Sequence, residues 1–277
     1  MRKILILVLL AALVVGGGLY LMRRDAAPGE TGGADADAPL AFVPADTPYV
    51  FANIEPFPAA VTTRWMQQFD VGARLWQSQI AQSIKKLEQT RPDAPELKWL
   101  RAVNAELEGK TMMQVFDTLG YDLQGRFALY GVGLVPVIRM SLADPEKFKA
   151  FIARLEQQVG TAFPRGTVGG QEYFSLMGSE GKLRGILALQ QRHLVLTLAP
   201  AADDSALGQL LGVQRPAKSL AESGALATLN QQFDYLDNGS GYFDTRALLA
   251  QFTAPATPLE TAFLTALDIQ KPTIDPT

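Results

Sequence analysis

The sequence predicts an α+β protein in which an antiparallel sheet is packed with amphipathic helices, preceded by one N-terminal transmembrane helix. Short runs of branched and aromatic residues between turn residues indicate strands, and longer runs with apolar residues three and four positions apart indicate helices. With 277 residues, 48% of them hydrophobic, the chain can fill one large core or two small ones.

The N-terminal segment has the pattern of a membrane anchor. Residues 4–22 are apolar, glycine or tyrosine throughout, and basic pairs flank them at 2–3 and 23–24. As a helix this run would extend roughly 28 Å, close to the ~30 Å hydrocarbon core of a bilayer. A signal peptide cleaved at 34–36 is the alternative, but the apolar run is longer than usual and the cleavage site lies too far downstream. We therefore predict an uncleaved signal-anchor in residues 1–24.

Charge is distributed unevenly along the chain. Residues 1–24 contain four bases and no acid, so the remainder carries 21 bases against 28 acids, a net charge of −7. Nucleic-acid binding normally requires a cationic face, so we expect no nucleic-acid partner. Two basic residues flank the apolar segment on each side, so the count of Lys and Arg does not determine its orientation in the membrane. Only the amino terminus and the acidic linker favour a cytoplasmic N-terminus.

Residues 25–40 contain no large apolar side chain before Leu40 and are interpreted as a flexible linker. The folded α+β domain is predicted to span 41–277, with a helical section at about 59–118. We expect strands at 49–54, 127–133, 137–142, 171–177, 183–189, 193–199 and 242–245, with a turn at 134–136. We expect helices ending near 90, at 95–108, 144–160, 203–211, 223–236, 246–252 and 259–267.

Three of these helices carry informative side-chain patterns. Asp144-Pro145-Glu146 supplies an N-cap, a proline at the first position and an acid in the first turn, the clearest helix start in the chain. Trp65, Phe69 and Trp76 recur at helical spacing, which favours core packing over a partner-binding face. In the helix at 223–236, the apolar face is expected to be Leu226, Leu229, Phe233 and Leu236.

The chain contains no cysteine and one histidine, His193. The lack of cysteine excludes thiolate nucleophiles, thiolate metal sites and a lipid-modified cysteine anchor. One histidine alone makes neither a metal site nor a nucleophile and base pair, and we expect His193 at a strand edge, partly in water. No catalytic, cofactor-binding or metal-ligating residues are therefore assigned.

Two motifs imitate known sites and are rejected. The S-x-x-K matches at Ser83 to Lys86 and Ser179 to Lys182 lack the companion motifs of penicillin-binding acyl enzymes. Gly109-Lys110-Thr111 imitates the end of a phosphate-binding loop, but Asn104 stands where that loop requires its first glycine. We expect no nucleotide partner.

Acidic residues leave one enzymatic alternative open. A pair of carboxylates suffices for glycan cleavage and leaves no short motif. The candidates are Glu55, Asp144, Glu172 and Asp244. Two of these carboxyl groups about 5 to 9.5 Å apart in one concave pocket would support a hydrolase.

Several segments together resemble a known family. They are Pro44-Ala45-Asp46-Thr47, Ala143-Asp144-Pro145, residues 170–173, residues 193–198 and Gly241-Tyr242-Phe243-Asp244. With them the chain resembles, over most of 41–250, an uncharacterised domain-of-unknown-function family of N-terminally anchored bacterial envelope proteins. The resemblance implies the architecture and a cellular location, and it implies no reaction.

These observations together predict a single-pass inner-membrane protein with its ectodomain in the periplasm. Its partners would be the bilayer, through residues 4–22, and an envelope protein. Non-catalytic binding or scaffolding is the favoured role, and a carboxylate-dependent envelope hydrolase is the alternative. A subunit of a larger membrane complex would carry an exposed contiguous apolar patch. A faint repeat of Tyr49-Val50-Phe51 in Gly241-Tyr242-Phe243 leaves open whether the domain is the first part of a duplicated arrangement.

Overall fold

The computed structural model describes residues 38–176, 183–201, 204–253 and 257–266. It confirms an α+β fold with an antiparallel sheet and helices. The predicted anchor in 1–24 and the Ser179 to Lys182 motif lie outside the described residues. None of the described helices combines the length and the apolarity that a bilayer span requires.

The described residues form eight strands and nine α-helices, after a 3₁₀ turn at Pro39–Phe42. The strands are β1 (Tyr49–Ala52), β2 (Phe127–Val132), β3 (Val135–Ser141), β4 (Arg165–Val168), β5 (Gln171–Leu176), β6 (Leu183–Gln190), β7 (His193–Pro200) and β8 (Ser240–Phe243). The helices are α1 (Ala59–Thr90), α2 (Pro95–Leu107), α3 (Met112–Thr118), α4 (Pro145–Val159), α5 (Leu207–Leu210), α6 (Leu220–Ser223), α7 (Ala225–Phe233), α8 (Thr245–Thr253) and α9 (Pro258–Ala266).

The chain divides into two compact units. The sheet unit comprises residues up to Pro56, Gly125–Ser141 and the residues from Pro164 onward. The helical unit comprises Phe57–Gln124 and Leu142–Phe163, and so contains α1 to α4.

All eight strands of the sheet unit form one antiparallel sheet in the order β4-β5-β6-β7-β3-β2-β1-β8. Side chains alternate between the two faces of a strand, and one face supplies the core. Among its buried members are Val50, Tyr130, Val137, Ile186 and Val195. Leucines of the short helices join this cluster, namely Leu207, Leu210, Leu220 and Leu226.

Helix α4 in the helical unit confirms the clearest sequence signal. The Asp144 carboxylate accepts hydrogen bonds from the backbone N–H groups of Glu146 and Lys147, at 3.0 and 3.3 Å. The helix ends at Gly160, which adopts the left-handed conformation with φ 73°. Its apolar side chains Phe148, Phe151, Ile152 and Leu155 are buried.

The long helix α1 only partly follows the predicted core stripe. Ile84 and Met66 are buried, whereas Trp65 and Phe69 are half-buried. Trp65 packs edge-on against Phe57, with ring centroids 4.7 Å apart. The side chain of Trp76 lies outside what the structure describes.

Two predicted boundaries are wrong because glycine takes left-handed backbone angles that the sequence pattern did not reveal. The β2–β3 turn comprises Gly133, where φ is 56°, and Leu134, so only one residue of the predicted turn 134–136 is in it and Pro136 belongs to β3. The helix predicted at 223–236 begins instead at Ala225, directly after Gly224 with φ 62°, and ends at Phe233, and the four residues before Gly224 form the separate helix α6.

Three elements were not predicted individually. They are strand β4 at Arg165–Val168, helix α6 at Leu220–Ser223, and helix α3, which lies within the predicted helical section 59–118 and follows the Gly109-Lys110-Thr111 segment. Thr111 is the N-cap of α3, and its hydroxyl and the Gln114 side chain form a reciprocal capping box. The threonine that imitated a phosphate-binding loop therefore starts a helix.

Candidate functional site

Within the sheet unit, Asp244 forms no hydrolytic pair with Glu172 or with Glu55. Asp144 caps α4, and Asp244 accepts a hydrogen bond from the Ala247 backbone N–H at 2.9 Å in the first turn of α8. Glu172 lies on β5 with a carboxylate oxygen 3.8 Å from Arg165. Strand β5 is six strand positions from β8. At about 4.8 Å per strand, Glu172 and Asp244 are roughly 29 Å apart, too far for joint catalysis.

Glu55 lies in a buried polar turn after β1. Its backbone N–H and that of Ile54 donate to the Asp237 carbonyl at 3.0 and 2.7 Å. The Asp237 carboxylate in turn accepts from the Asn230 amide at 2.7 Å. Asp244 lies at the other end of β1, where its N–H donates to the Pro48 carbonyl. Glu55 and Asp244 are therefore separated by the length of the strand.

His193 is buried, with 6% of its surface exposed, so the expectation that it lies partly in water is wrong. It begins β7, which lies inside the sheet between β6 and β3, and it pairs with Gln190 and Ser141. Its ring meets Phe42 edge-on at 6.0 Å between centroids.

Arg139 is a fully buried base beside this histidine. Its guanidinium donates to the Gln190 side-chain oxygen at 2.6 Å and to the Leu211 carbonyl at 2.7 Å. Burial lowers the pKa of Arg139, and the charge of Arg215 lowers it further. A Cβ atom added at Gly212 would lie 2.7 Å from the Arg139 guanidinium, so Gly212 packs directly against this group. These contacts join Arg139 of β3 to Gln190 of β6 and to Leu211 at the end of helix α5, so its guanidinium is engaged by protein groups.

The Pro-Ala-Asp-Thr segment sets the register of the sheet. The Thr47 hydroxyl accepts from the Gly131 N–H at 3.1 Å and donates to the Gly131 carbonyl at 2.8 Å. A cavity of about 100 Å³ lies beside it, lined in part by Asp46, Gln209 and Gln251. The two hydrogen bonds to Gly131 give Thr47 of the Pro-Ala-Asp-Thr segment a structural role.

Exposed apolar side chains mark a different surface. Seven large hydrophobic residues are exposed in the described part of the chain, and five of them lie within residues 233–249. They are Phe233 (54% exposed), Tyr235 (52%), Leu236 (39%), Phe243 (75%) and Leu249 (65%). The expected burial of Phe233 and Leu236 on a helix face is therefore wrong, because α7 ends at Phe233 and only Leu226 of that face is deeply buried.

These residues flank β8, an edge strand of the sheet. Strand β8 pairs with β1, and no other described strand pairs with it. Phe243 stacks on Tyr49 with centroids 5.9 Å apart, and Phe233 stacks on Tyr235 at 5.7 Å. We use the name β8 edge for Ser240–Phe243 together with Phe233, Tyr235, Leu236 and Leu249.

The two edges of the sheet differ in their protection. Edge strands usually carry charge that discourages pairing with another chain. At the opposite edge, β4 carries Arg165, whose guanidinium lies 3.8 Å from the Glu172 carboxylate on β5. Strand β8 contains Ser240, Gly241, Tyr242 and Phe243, and so has no charged side chain. The β8 edge is therefore the less protected of the two.

Acidic residues surround the β8 edge. Asp46 and Asp244 both act on Tyr242, whose pKa is raised first by burial and then by these two charges. Residues 233–246 contain three acids, Asp234, Asp237 and Asp244, against one base, Arg246. This segment around β8 therefore carries a net charge of −2.

The described residues hold no group of three or more His, Cys, Asp or Glu side chains placed to bind a metal ion. No family model, no curated protein and no solved structure matches this chain. The interpretation of its function therefore depends on its own residues. They define an α+β protein with an open antiparallel sheet and one apolar, acid-flanked edge.

The sequence patterns missed this surface. A usable signal was present, because Phe233, Tyr235 and Phe243 flank the turn-forming run Asp237-Asn238-Gly239. The residues of a short polar turn offer few apolar side chains that could bury the aromatic rings on either side of it. Their exposure depends on whether another strand follows in the sheet, which a local pattern does not contain.

Proposed function

We propose that this protein is a single-pass, membrane-anchored envelope protein whose outer domain binds another protein and catalyses no reaction. One observation carries the binding role, namely the exposed ring of Phe243 on the edge strand β8, with four further exposed apolar side chains within ten residues of it in sequence. Monomeric soluble proteins rarely expose contiguous apolar surface unless it binds something. A carboxylate-dependent hydrolase is the weaker alternative, because Glu172 and Asp244 lie near opposite edges of the sheet.

The location is proposed from the sequence. Residues 4–22 would anchor the chain in the inner membrane, and the acidic remainder would lie in the periplasm. The resemblance to the anchored envelope family supports the same arrangement. The antiparallel pairing of Tyr49-Val50-Phe51 with Gly241-Tyr242-Phe243 is compatible with the proposed duplication, since the two similar segments are neighbours in one sheet.

The absence of cysteine makes the location directly testable. A single cysteine replaces the exposed Thr161 in one variant, and in a second a cysteine is inserted after Met1. Cells with a permeabilised outer membrane are treated with a maleimide that does not cross the inner membrane. We expect labelling of Thr161→Cys before lysis and labelling of the N-terminal cysteine only after lysis. The reverse pattern, or a mature chain lacking residues 1–36 by mass spectrometry, would contradict the proposal.

The binding role is tested by site-specific photocrosslinking in cells. A photoreactive amino acid replaces Phe243 on the β8 edge, and in a matched variant it replaces the exposed Thr167 on β4. We expect a discrete higher-mass adduct from position 243 and none from position 167. Equal adducts from both edges, or none from either, would remove the support for a specific binding surface.

A further inference from the structure

We infer that β8 accepts an extended polypeptide segment as a ninth strand, and that this segment carries apolar side chains alternating with lysine or arginine. The inference rests on the proposed binding function and identifies the chemistry of its partner. Three features of the β8 edge support it, namely its backbone groups, its apolar side chains and its charge.

The pairing of β8 with β1 determines which backbone groups face outward. The Asp244 N–H donates to the Pro48 carbonyl at 2.9 Å, which makes residues 48 and 244 a hydrogen-bonded pair. Hydrogen-bonded and non-hydrogen-bonded pairs alternate along an antiparallel ladder. Tyr242 therefore directs its N–H and C=O toward β1, while Gly241 and Phe243 direct theirs away from the sheet. Those four groups are the ones that a further strand would pair with.

The apolar contribution comes from the face that bears Phe243. This ring is 75% exposed and already stacks on Tyr49 of the neighbouring strand. A strand added to β8 would place every second side chain on the same face, beside Phe243. Aromatic rings pair well with branched side chains across strands. The incoming segment should therefore present valine, isoleucine or leucine at alternate positions.

Charge decides between a basic segment and a second copy of this chain. With Asp46 also nearby, two β8 edges brought together would double a local excess of acids. Like charges facing each other across an interface disfavour association, whereas opposite charges favour it and speed encounter. A partner with lysine or arginine between its apolar positions would place positive charges opposite the acids around the β8 edge. The strand-addition mode itself draws its affinity from backbone hydrogen bonds.

The test uses the full chain in detergent and two fluorescent eight-residue peptides. One peptide alternates lysine with valine, and its twin alternates glutamate with valine. Fluorescence anisotropy should show the lysine peptide binding at least about tenfold more tightly than the glutamate twin, with affinity falling as salt is added. Equal affinity for both peptides would overturn the inference.

A proline substitution distinguishes strand pairing at β8 from nonspecific binding of the peptide. Phe243→Pro removes one outward N–H and leaves the hydrogen bonds between β1 and β8 in place. Thr167 on β4 is the matched site: the Ser175 N–H donates to the Pro164 carbonyl, so Thr167 also directs its N–H outward. We expect Phe243→Pro to weaken lysine-peptide binding at least about fivefold and Thr167→Pro to leave it unchanged. Equal effects would contradict strand addition at β8.

The remaining outcomes are also decisive. Phe243→Ala keeps the N–H and removes the ring, so it should bind the lysine peptide less well than the parent and better than Phe243→Pro. Sedimentation of the unmodified chain that reveals a dimer abolished by Phe243→Pro, without peptide binding, would overturn the inference in favour of a second copy. If cellular crosslinks from position 243 persist while both peptides fail to bind, the binding function stands and this partner chemistry is wrong.

Discussion

At the scale of single residues, the aromatic ring of Phe42 explains how two bases lie close together in the sheet unit. The Arg139 and Arg215 guanidinium groups each lie 3.6 Å from its centroid. Two groups at that distance must occupy opposite faces of the ring. A cation over an aromatic face is attracted by its quadrupole, by up to ~2 kcal/mol when desolvated. The ring thus offsets part of the desolvation of Arg139.

This arrangement predicts an unusually large effect of shortening Phe42. Phe42→Leu should lower the free energy of unfolding by about 3 kcal/mol, since it loses apolar contact and the attraction to Arg139 and Arg215. The matched variant is Phe151→Leu, which is similarly buried in α4 and should cost only about 1 kcal/mol. Urea unfolding of each full chain in detergent measures the difference. Equal losses in the two variants would show that the ring contributes no more than its apolar area.

At the scale of elements, glycine positions determine how the helical unit changes direction. Gly120 follows α3 with φ 66°, and a Cβ atom there would lie 2.0 Å from the Asp144 carbonyl oxygen. Gly160 ends α4 with φ 73°, and a Cβ atom there would meet nothing within 4 Å. The two glycines have the same backbone requirement and different surroundings. Gly120 allows the end of α3 to lie directly against the start of α4.

The two glycines form a matched pair of substitutions. Gly160→Ala should cost only the left-handed strain, about 1 kcal/mol. Gly120→Ala adds a backbone collision that no flexible side chain can relieve, and it should cost at least about 3 kcal/mol. Thermal or urea unfolding of the two variants, compared with the parent, measures both values. A Gly120→Ala protein as stable as Gly160→Ala would contradict the close approach of α3 and Asp144.

At the scale of the whole molecule, buried tyrosines determine the behaviour in alkali. Burial raises the pKa of Tyr49, Tyr121 and Tyr130 above the ordinary value, and for Tyr130 the charge of Arg139 opposes part of that rise. Above about pH 10 the unfolded chain releases these protons while the folded chain keeps them. The folded state then binds more protons, so stability is complete below that pH and is lost as the pH rises through it.

Alkaline unfolding should therefore respond to Tyr130. Tyr130→Phe removes a fully buried titrating hydroxyl and should reduce the loss of stability between about pH 10 and pH 11.5. Urea midpoints of this variant and of the parent chain, measured across this range, test the expectation. An unchanged slope in Tyr130→Phe would exclude this tyrosine from the alkaline transition.

Local patterns predicted most of the elements and several of their ends. The Asp144 cap and the three successive strands β5, β6 and β7 were all predicted from residues a few positions apart. Capping, periodicity and turn chemistry act over one or two turns of chain, so a single sequence contains them. The carboxylates were identified as candidates, but their separation could not be predicted, because it depends on the order of strands.

Composition and local patterns were enough to establish the α+β class, the net acidity outside the first 24 residues, and the absence of thiol chemistry. The burial of His193, the positions of Glu172 and Asp244 near opposite edges of the sheet, and the place of Phe243 on an edge strand became known from the three-dimensional fold. The physical reason is the range of the interactions. Composition and local hydrogen bonds are properties of neighbouring residues, whereas burial and edge exposure depend on which distant strands pair.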